Sequence, residues 1–178
     1  HLNIWAPAEP PEEPLPVMVY IYGGGHFRGL SGQKREVLYS YHGGYIAKTA
    51  PAIVVTFNYR LGALGFLALE ELTSESEHGS SGNYGFQDQI HLLRWVQDNI
   101  AAFGGDPTRV MVFGNHSGAS DVTALIASPE AKGLFHGAVM QSGRYGLRSL
   151  AEGELFGEKV VAETPCADSA DRLTALTL

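Results

Sequence analysis

An α/β fold is what this sequence predicts, and three observations carry the prediction. Short, near-continuous apolar runs bounded by Pro, Gly and Asn read as strands buried on both faces of a parallel sheet. Between them lies a segment with helical spacing, and strands alternating with helices argue for α/β architecture. Residues 109–113 then form a strand-like run that meets a glycine-framed corner, Gly114-Asn115-His116-Ser117-Gly118-Ala119, and a helix-compatible run over 118–128 leads away from it.

Taken in order, residues 1–5 read as a strand. Residues 6–16 carry five prolines and three glutamates, the composition of an extended surface connection. Strands follow at 16–22 and 52–57, and the series is extended at 110–113 and 138–141. The best helix is marked by Phe86, Ile90, Leu93, Val96, Ile100 and Phe103, with Gly104-Gly105 and Pro107 as its stop. Residues 70–81 mix acid and serine and are expected to form a solvated loop. Residues 152–176 read as one or two amphipathic helices broken at Thr164-Pro165. No internal repeat, low-complexity tract or domain boundary is legible.

Composition narrows the function. The 178 residues are 44% hydrophobic and 17% charged, enough for one packed core of ordinary globular kind. Twelve Lys and Arg against 19 Asp and Glu give a net charge of -7 with the basic residues scattered, which argues against a nucleic-acid partner. No apolar run approaches the roughly 20 residues of a membrane span. The single cysteine, Cys166, cannot form an internal disulfide, and the N-terminal residues do not read as a signal peptide, so localisation is not legible.

The chemistry is concentrated at the corner. A nucleophile elbow of the form Gly-x-nucleophile-x-Gly sits on a sharp strand-to-helix turn, where Cβ atoms two residues either side would not fit. Gly114 and Gly118 meet that need, and the central position is His116. Sliding the frame to Ser117 would put Asn115 and Ala119 at the flanking positions, and Asn115 is not small. A second feature, Gly23-Gly24-Gly25 directly after a strand, allows backbone N–H groups to converge on a developing oxyanion. A glycine run alone would equally serve a tight turn or a phosphate loop. Followed about 90 residues later by an elbow, it fits one half of a hydrolase oxyanion hole, with Gly24, Gly25 and the N–H of Ser117 as donors.

At this point the residues resemble a family. Leu2-Asn3-Ile4-Trp5-Ala6-Pro7, Ile21-Tyr22-Gly23-Gly24-Gly25, Asn58-Tyr59-Arg60-Leu61-Gly62 with Gly65-Phe66, and Gly82-Asn83-Tyr84-Gly85 with Asp88-Gln89 are similar to type-B carboxylesterases. So are Arg94-Trp95-Val96-Gln97 with Asn99-Ile100, Phe103-Gly104-Gly105-Asp106-Pro107, and Phe135-His136 with Gln141-Ser142-Gly143. The resemblance covers nearly the whole chain. It implies a partial α/β-hydrolase fold, a mostly parallel sheet flanked by helices, forming the N-terminal part of a catalytic domain over residues 1–178. It implies a small-molecule carboxylic ester as substrate if the chain is active, and it calls for no cofactor. It is compatible with secretion and leaves the oligomeric state open.

The family pattern at the elbow is Phe-Gly-Glu-Ser-Ala-Gly, against Phe113-Gly114-Asn115-His116-Ser117-Gly118 here. His116 therefore stands at the serine and Asn115 at the glutamate, each change requiring more than one base substitution. His26 stands where the family has Phe or another apolar residue. The resemblance places the acid and the general-base histidine far downstream, and nothing between His116 and Leu178 matches either. His136 reads as structural, and Asp121 as a surface or helix-start residue rather than a triad acid. The resemblance also matches Cys166 to the first cysteine of a family disulfide, without a visible partner.

Three roles for His116 follow. The first is loss of activity, since losing a triad serine costs about 10⁶ in kcat in a well-studied protease. The second is attack on esters through an acyl-imidazole, for which this chain offers no base or acid. The third is metal binding, which lacks any paired histidine spacing or Cys–His cluster. The expected function is an ester hydrolase lineage in which this chain is inactive; the alternative is a non-catalytic binding or adhesion module, because fold does not fix function. A doubly wound sheet cut midway would also expose an edge strand and lower solubility.

Overall fold

The computed structural model describes residues 1–9, 11–31, 42–144, 146–165, 167–169, 172 and 174. Cys166 lies outside the described residues. The chain divides into two compact units: His1–Tyr59 with Phe86–Tyr145, and Arg60–Gly85 with Gly146–Leu178.

The first unit is built on a five-stranded sheet of β1 (Leu2–Trp5), β2 (Leu15–Ile21), β3 (Ile53–Phe57), β4 (Gly105–Asn115) and β5 (Gly137–Gln141), in the order β1-β3-β2-β4-β5. Among the described residues only β1 runs antiparallel to its neighbour; β3, β2, β4 and β5 are parallel. The apolar runs are apolar for the reason their continuity suggested. Val17, Val19, Ile53, Val54, Val55, Val110 and Val112 are all buried, as central strands covered on both faces require. The mixed sheet with flanking helices is the partial α/β-hydrolase arrangement expected from sequence.

β4 is longer than the expected strand because pairing starts earlier, at Gly105. Leu15 pairs with Gly105 and Val17 with Val110, and the shift between them accommodates Asp106-Pro107-Thr108-Arg109 as an irregular step. Pro107, which lacks a ladder donor, falls within that step.

The helices of this unit are α1 (Gly44–Thr49), α4 (Tyr84–Asn99, from Phe86 onward) and α5 (Ser117–Ala127). Ile90, Leu93 and Val96 of α4 are buried, followed by Ile100 in a short 3₁₀ turn (Ile100–Phe103). Phe103, expected on the same apolar stripe, is exposed because the 3₁₀ turn changes the period. Gly104 then adopts φ 79°, the left-handed C-terminal stop that the glycine pair predicted.

The second unit holds α2 (Gly62–Phe66), α3 (Glu70–Glu75) and α6 (Leu150–Ala162). Residues 70–81 are not the solvated loop expected from sequence: the segment opens with α3 and ends on a buried Ser81. Glu70 and Glu71 lie in the first turn, where carboxylates complement the helix dipole. The Ser81 hydroxyl and Thr73 Oγ1 stand 2.8 Å apart, and Thr73 donates to Glu154 Oε1 at 2.6 Å. The acid and serine content therefore reflects helix start and internal hydrogen bonding. α6 begins with a capping box between Ser149 and Glu152 and ends before Thr164-Pro165, the break anticipated from sequence. Most of the expected second helical stretch lies outside the described residues. No helix among the described residues is long and apolar enough to cross a membrane.

Candidate active site

The corner between β4 and α5 carries one of the three non-glycine residues with positive φ among the described residues, the others being His26 and Ser142. His116, the residue between β4 and α5, has φ 53° and ψ -121°, a conformation that side chains rarely adopt and that costs about 1–3 kcal/mol. It is held from both directions: its N–H donates to Gln141 O at 2.9 Å, and its carbonyl accepts from Ala119 and Ser120 N–H at 3.1 and 3.2 Å. Its side chain is exposed.

The glycines either side of it are there because nothing larger fits. A Cβ on Gly114 would lie 2.5 Å from Gly118 O. One on Gly118 would collide with Ile21 O and Tyr22 O, where α5 presses its first turn against the end of β2. A serine-centred frame at Ser117 has no such geometry, since Ser117 is already the first residue of α5.

The glycine turn after β2 meets this corner. Gly24 and Gly25 have φ of 120° and 68°. A Cβ on Gly23 would stand 2.7 Å from Asn115 O, so the turn and the corner are in direct apposition. Asn115 Oδ1 links the corner to the turn by accepting from Gly23 N–H at 3.2 Å, and to β2 by accepting from the Tyr20 hydroxyl at 2.9 Å. The remaining link was not legible in sequence: Gly25 N–H donates to the Ser117 hydroxyl oxygen at 2.9 Å. The structure thus brings Gly25 and Ser117 together through the serine side chain. Gly24 O accepts from Phe27 N–H at 3.3 Å and closes the turn.

Asp121 requires a correction. It is neither a surface nor a helix-start residue: it sits on the second turn of α5, 6% exposed, with both carboxylate oxygens engaged. Oδ1 lies 2.8 Å from His26 Nε2, and Oδ2 accepts from Gln89 Nε2 at 2.7 Å. Gln89 is fully buried, and its Oε1 has no hydrogen-bond partner among the described residues. Local spacing carried no signal for this role, because His26 and Gln89 come from other elements. His26, the residue Asp121 meets, has φ 63°. Close by, burial pushes the Tyr22 phenol above its ordinary range; its link to the Tyr59 backbone opposes this, and the Asp121 charge adds to it.

His136 is structural, as expected. Val110 N–H donates to its Nδ1 at 3.2 Å and its own N–H donates to Val110 O at 2.7 Å. That places it about 20 Å along β4 from His116, out of reach of the corner. Among the described residues no three His, Cys, Asp or Glu side chains form a metal-sized group.

Comparison with known proteins gives one family and several relatives. The family model described as "Carboxylesterase family" matches residues 1–169. Fumonisin B1 esterase from Sphingopyxis macrogoltabida is 45% identical over 173 residues, 96% of this chain and 31% of that protein. Para-nitrobenzyl esterase from Bacillus subtilis (strain 168) is 45% identical over 143 residues, 80% of this chain and 27% of that protein. Cocaine esterase from Oryctolagus cuniculus is 41% identical over 169 residues, 94% of this chain and 29% of that protein. The chain thus spans between 27% and 31% of the length of these relatives.

Proposed function

The chain belongs to the carboxylesterase family, and from that premise we propose that its strand–turn–helix corner is a nucleophile elbow whose attacking serine has been replaced. In this reading the oxyanion donors are Gly24, Gly25 and the N–H of Ser117, the ligand class is a small carboxylic ester, and ester hydrolysis through a serine at position 116 is lost. The observation that carries it is His116 itself, held at φ 53° and ψ -121° between two glycines that tolerate no Cβ. That geometry serves to lift a side chain clear of the sheet toward a substrate. What it lifts is an imidazole, without the hydroxyl that would form an acyl ester.

The chemical consequence is large. Donors aimed at an oxyanion lower the barrier only once a nucleophile has begun to attack. Removing the nucleophile from such a site costs about 10⁶ in kcat in a well-studied protease. Asn115, at the place of the family's glutamate, joins the corner to the turn through Gly23 N–H and to β2 through the Tyr20 hydroxyl, so in this reading the scaffold of the site persists without its reacting group.

The test is hydrolysis of p-nitrophenyl acetate and butyrate by the protein, run beside His116→Ala and His116→Ser. Turnover equal to that of the alanine variant supports the reading, and gain of turnover in His116→Ser would identify the remaining machinery as competent. Turnover that the alanine variant abolishes would make His116 a nucleophile acting through an acyl-imidazole and overturn the proposal.

A second reading, a non-catalytic binding module, has one observation in its favour. In the second unit α6 leaves Leu155 and Phe156 exposed around a depression of about 300 Å³ that Arg148, Glu152 and Lys159 also line. Exposed apolar side chains rimmed by charge are what a protein-binding surface presents.

A further inference from the structure

Two contacts, one helical turn apart, fasten consecutive residues of the glycine turn to the same face of α5. Gly25 N–H donates to Ser117 Oγ at 2.9 Å, and His26 Nε2 stands 2.8 Å from Asp121 Oδ1. Ser117 and Asp121 are both buried, and Gln89 holds the far oxygen of Asp121. The second contact fixes His26 and therefore the backbone of Gly25 beside it.

The first contact bears directly on ligand binding. A backbone N–H has one hydrogen to give, and an acceptor at 2.9 Å takes it. We propose that the Ser117 hydroxyl is a resident occupant of the site: its oxygen accepts from Gly25 where the carbonyl or carboxylate oxygen of a ligand would otherwise accept. Ser117 is then a specificity-determining residue, and an incoming oxygen ligand binds at Gly25 only by displacing it. The inference rests on the assignment of Gly25 as an oxyanion donor made above, and it identifies what sets that donor's affinity.

The exchange is close to balanced in hydrogen bonds for the parent and favourable for a variant lacking the hydroxyl. Removing one internal neutral competitor should lower the ligand concentration needed by up to about tenfold.

The experiment follows the Gly25 amide by ¹⁵N NMR while sodium butyrate is added to the parent, Ser117→Ala and Ser117→Thr, with sodium chloride as the ionic-strength control. The expected result is a Gly25 response in Ser117→Ala at about tenfold lower butyrate than in the parent, with Ser117→Thr, which keeps a hydroxyl, following the parent. Equal midpoints in the parent and Ser117→Ala would overturn the resident-occupant role while leaving Gly25 as a donor. No Gly25 response in any form, or the same response to chloride, would overturn the donor assignment as well. None of these outcomes depends on ester turnover, so they are separable from the His116 test.

Discussion

His26 Nε2 and Asp121 Oδ1 stand 2.8 Å apart although 95 residues separate them in sequence. The pair ties the turn after β2 to the second turn of α5. Gln89, from α4, closes the network at 2.7 Å, so three elements meet on one carboxylate.

Asp121→Ala should destabilise the protein by about 1–3 kcal/mol, because it leaves the buried Gln89 amide without its acceptor. Urea denaturation would show this as a lower midpoint with an unchanged slope. A midpoint equal to the parent's would mean that the network contributes nothing to the folded state.

Gly118→Ala should be more damaging than Gly133→Ala. A Cβ at 118 collides with backbone carbonyls of Ile21 and Tyr22, which cannot rotate away, whereas at 133 it meets nothing within 4 Å and carries only the cost of its positive φ. Overpacking against backbone costs about 1–3 kcal/mol or more, and thermal melts of the two variants would rank them.

His116→Gly should stabilise the fold by about 1 kcal/mol. The strain of a non-glycine residue at φ 53° and ψ -121° is about 1–3 kcal/mol, offset in part by the added chain entropy of glycine in the unfolded state. A destabilised glycine variant would show that the imidazole makes a compensating interaction.

The strands and the corner were legible because they answer to local rules. Ile53, Val54 and Val55 form an unbroken β-branched run, short and bounded by Pro51 and Asn58, and such a run fits a strand covered on both faces. Gly114 and Gly118 were readable because a sharp turn excludes Cβ atoms at both positions. The role of Asp121 was not readable, because its burial depends on His26 and Gln89, which arrive from other elements and leave no periodic trace. The same holds for the Ser117 hydroxyl, whose partner is a backbone N–H 92 residues away. Residues 70–81 misled for a different reason: Glu70 and Glu71 at a helix start look, by composition alone, like solvated loop.

Asp106 gives the fold an acid-sensitive point at the irregular start of β4. Its carboxyl falls from an ordinary 3.8 to about 2, first through the Thr108 hydroxyl at 2.6 Å, then through Arg109 Nε at 2.6 Å, with the Thr108 N–H at 2.9 Å adding to both. Arg109 also donates to Pro14 O, so the carboxylate positions the guanidinium that joins β4 to the segment before β2. A folded-state value below the unfolded one means that the contribution is complete above about 3.8 and is lost as pH falls toward about 2. Asp106→Asn should therefore remove part of the acid destabilisation over that window and leave the slope of stability against pH near neutrality unchanged. Carboxyl titration by NMR provides the direct check: a midpoint near 2 for Asp106 in the parent, moving up in Thr108→Ala, is the expected result, and a midpoint at the ordinary value would show that these hydrogen bonds do not persist in solution.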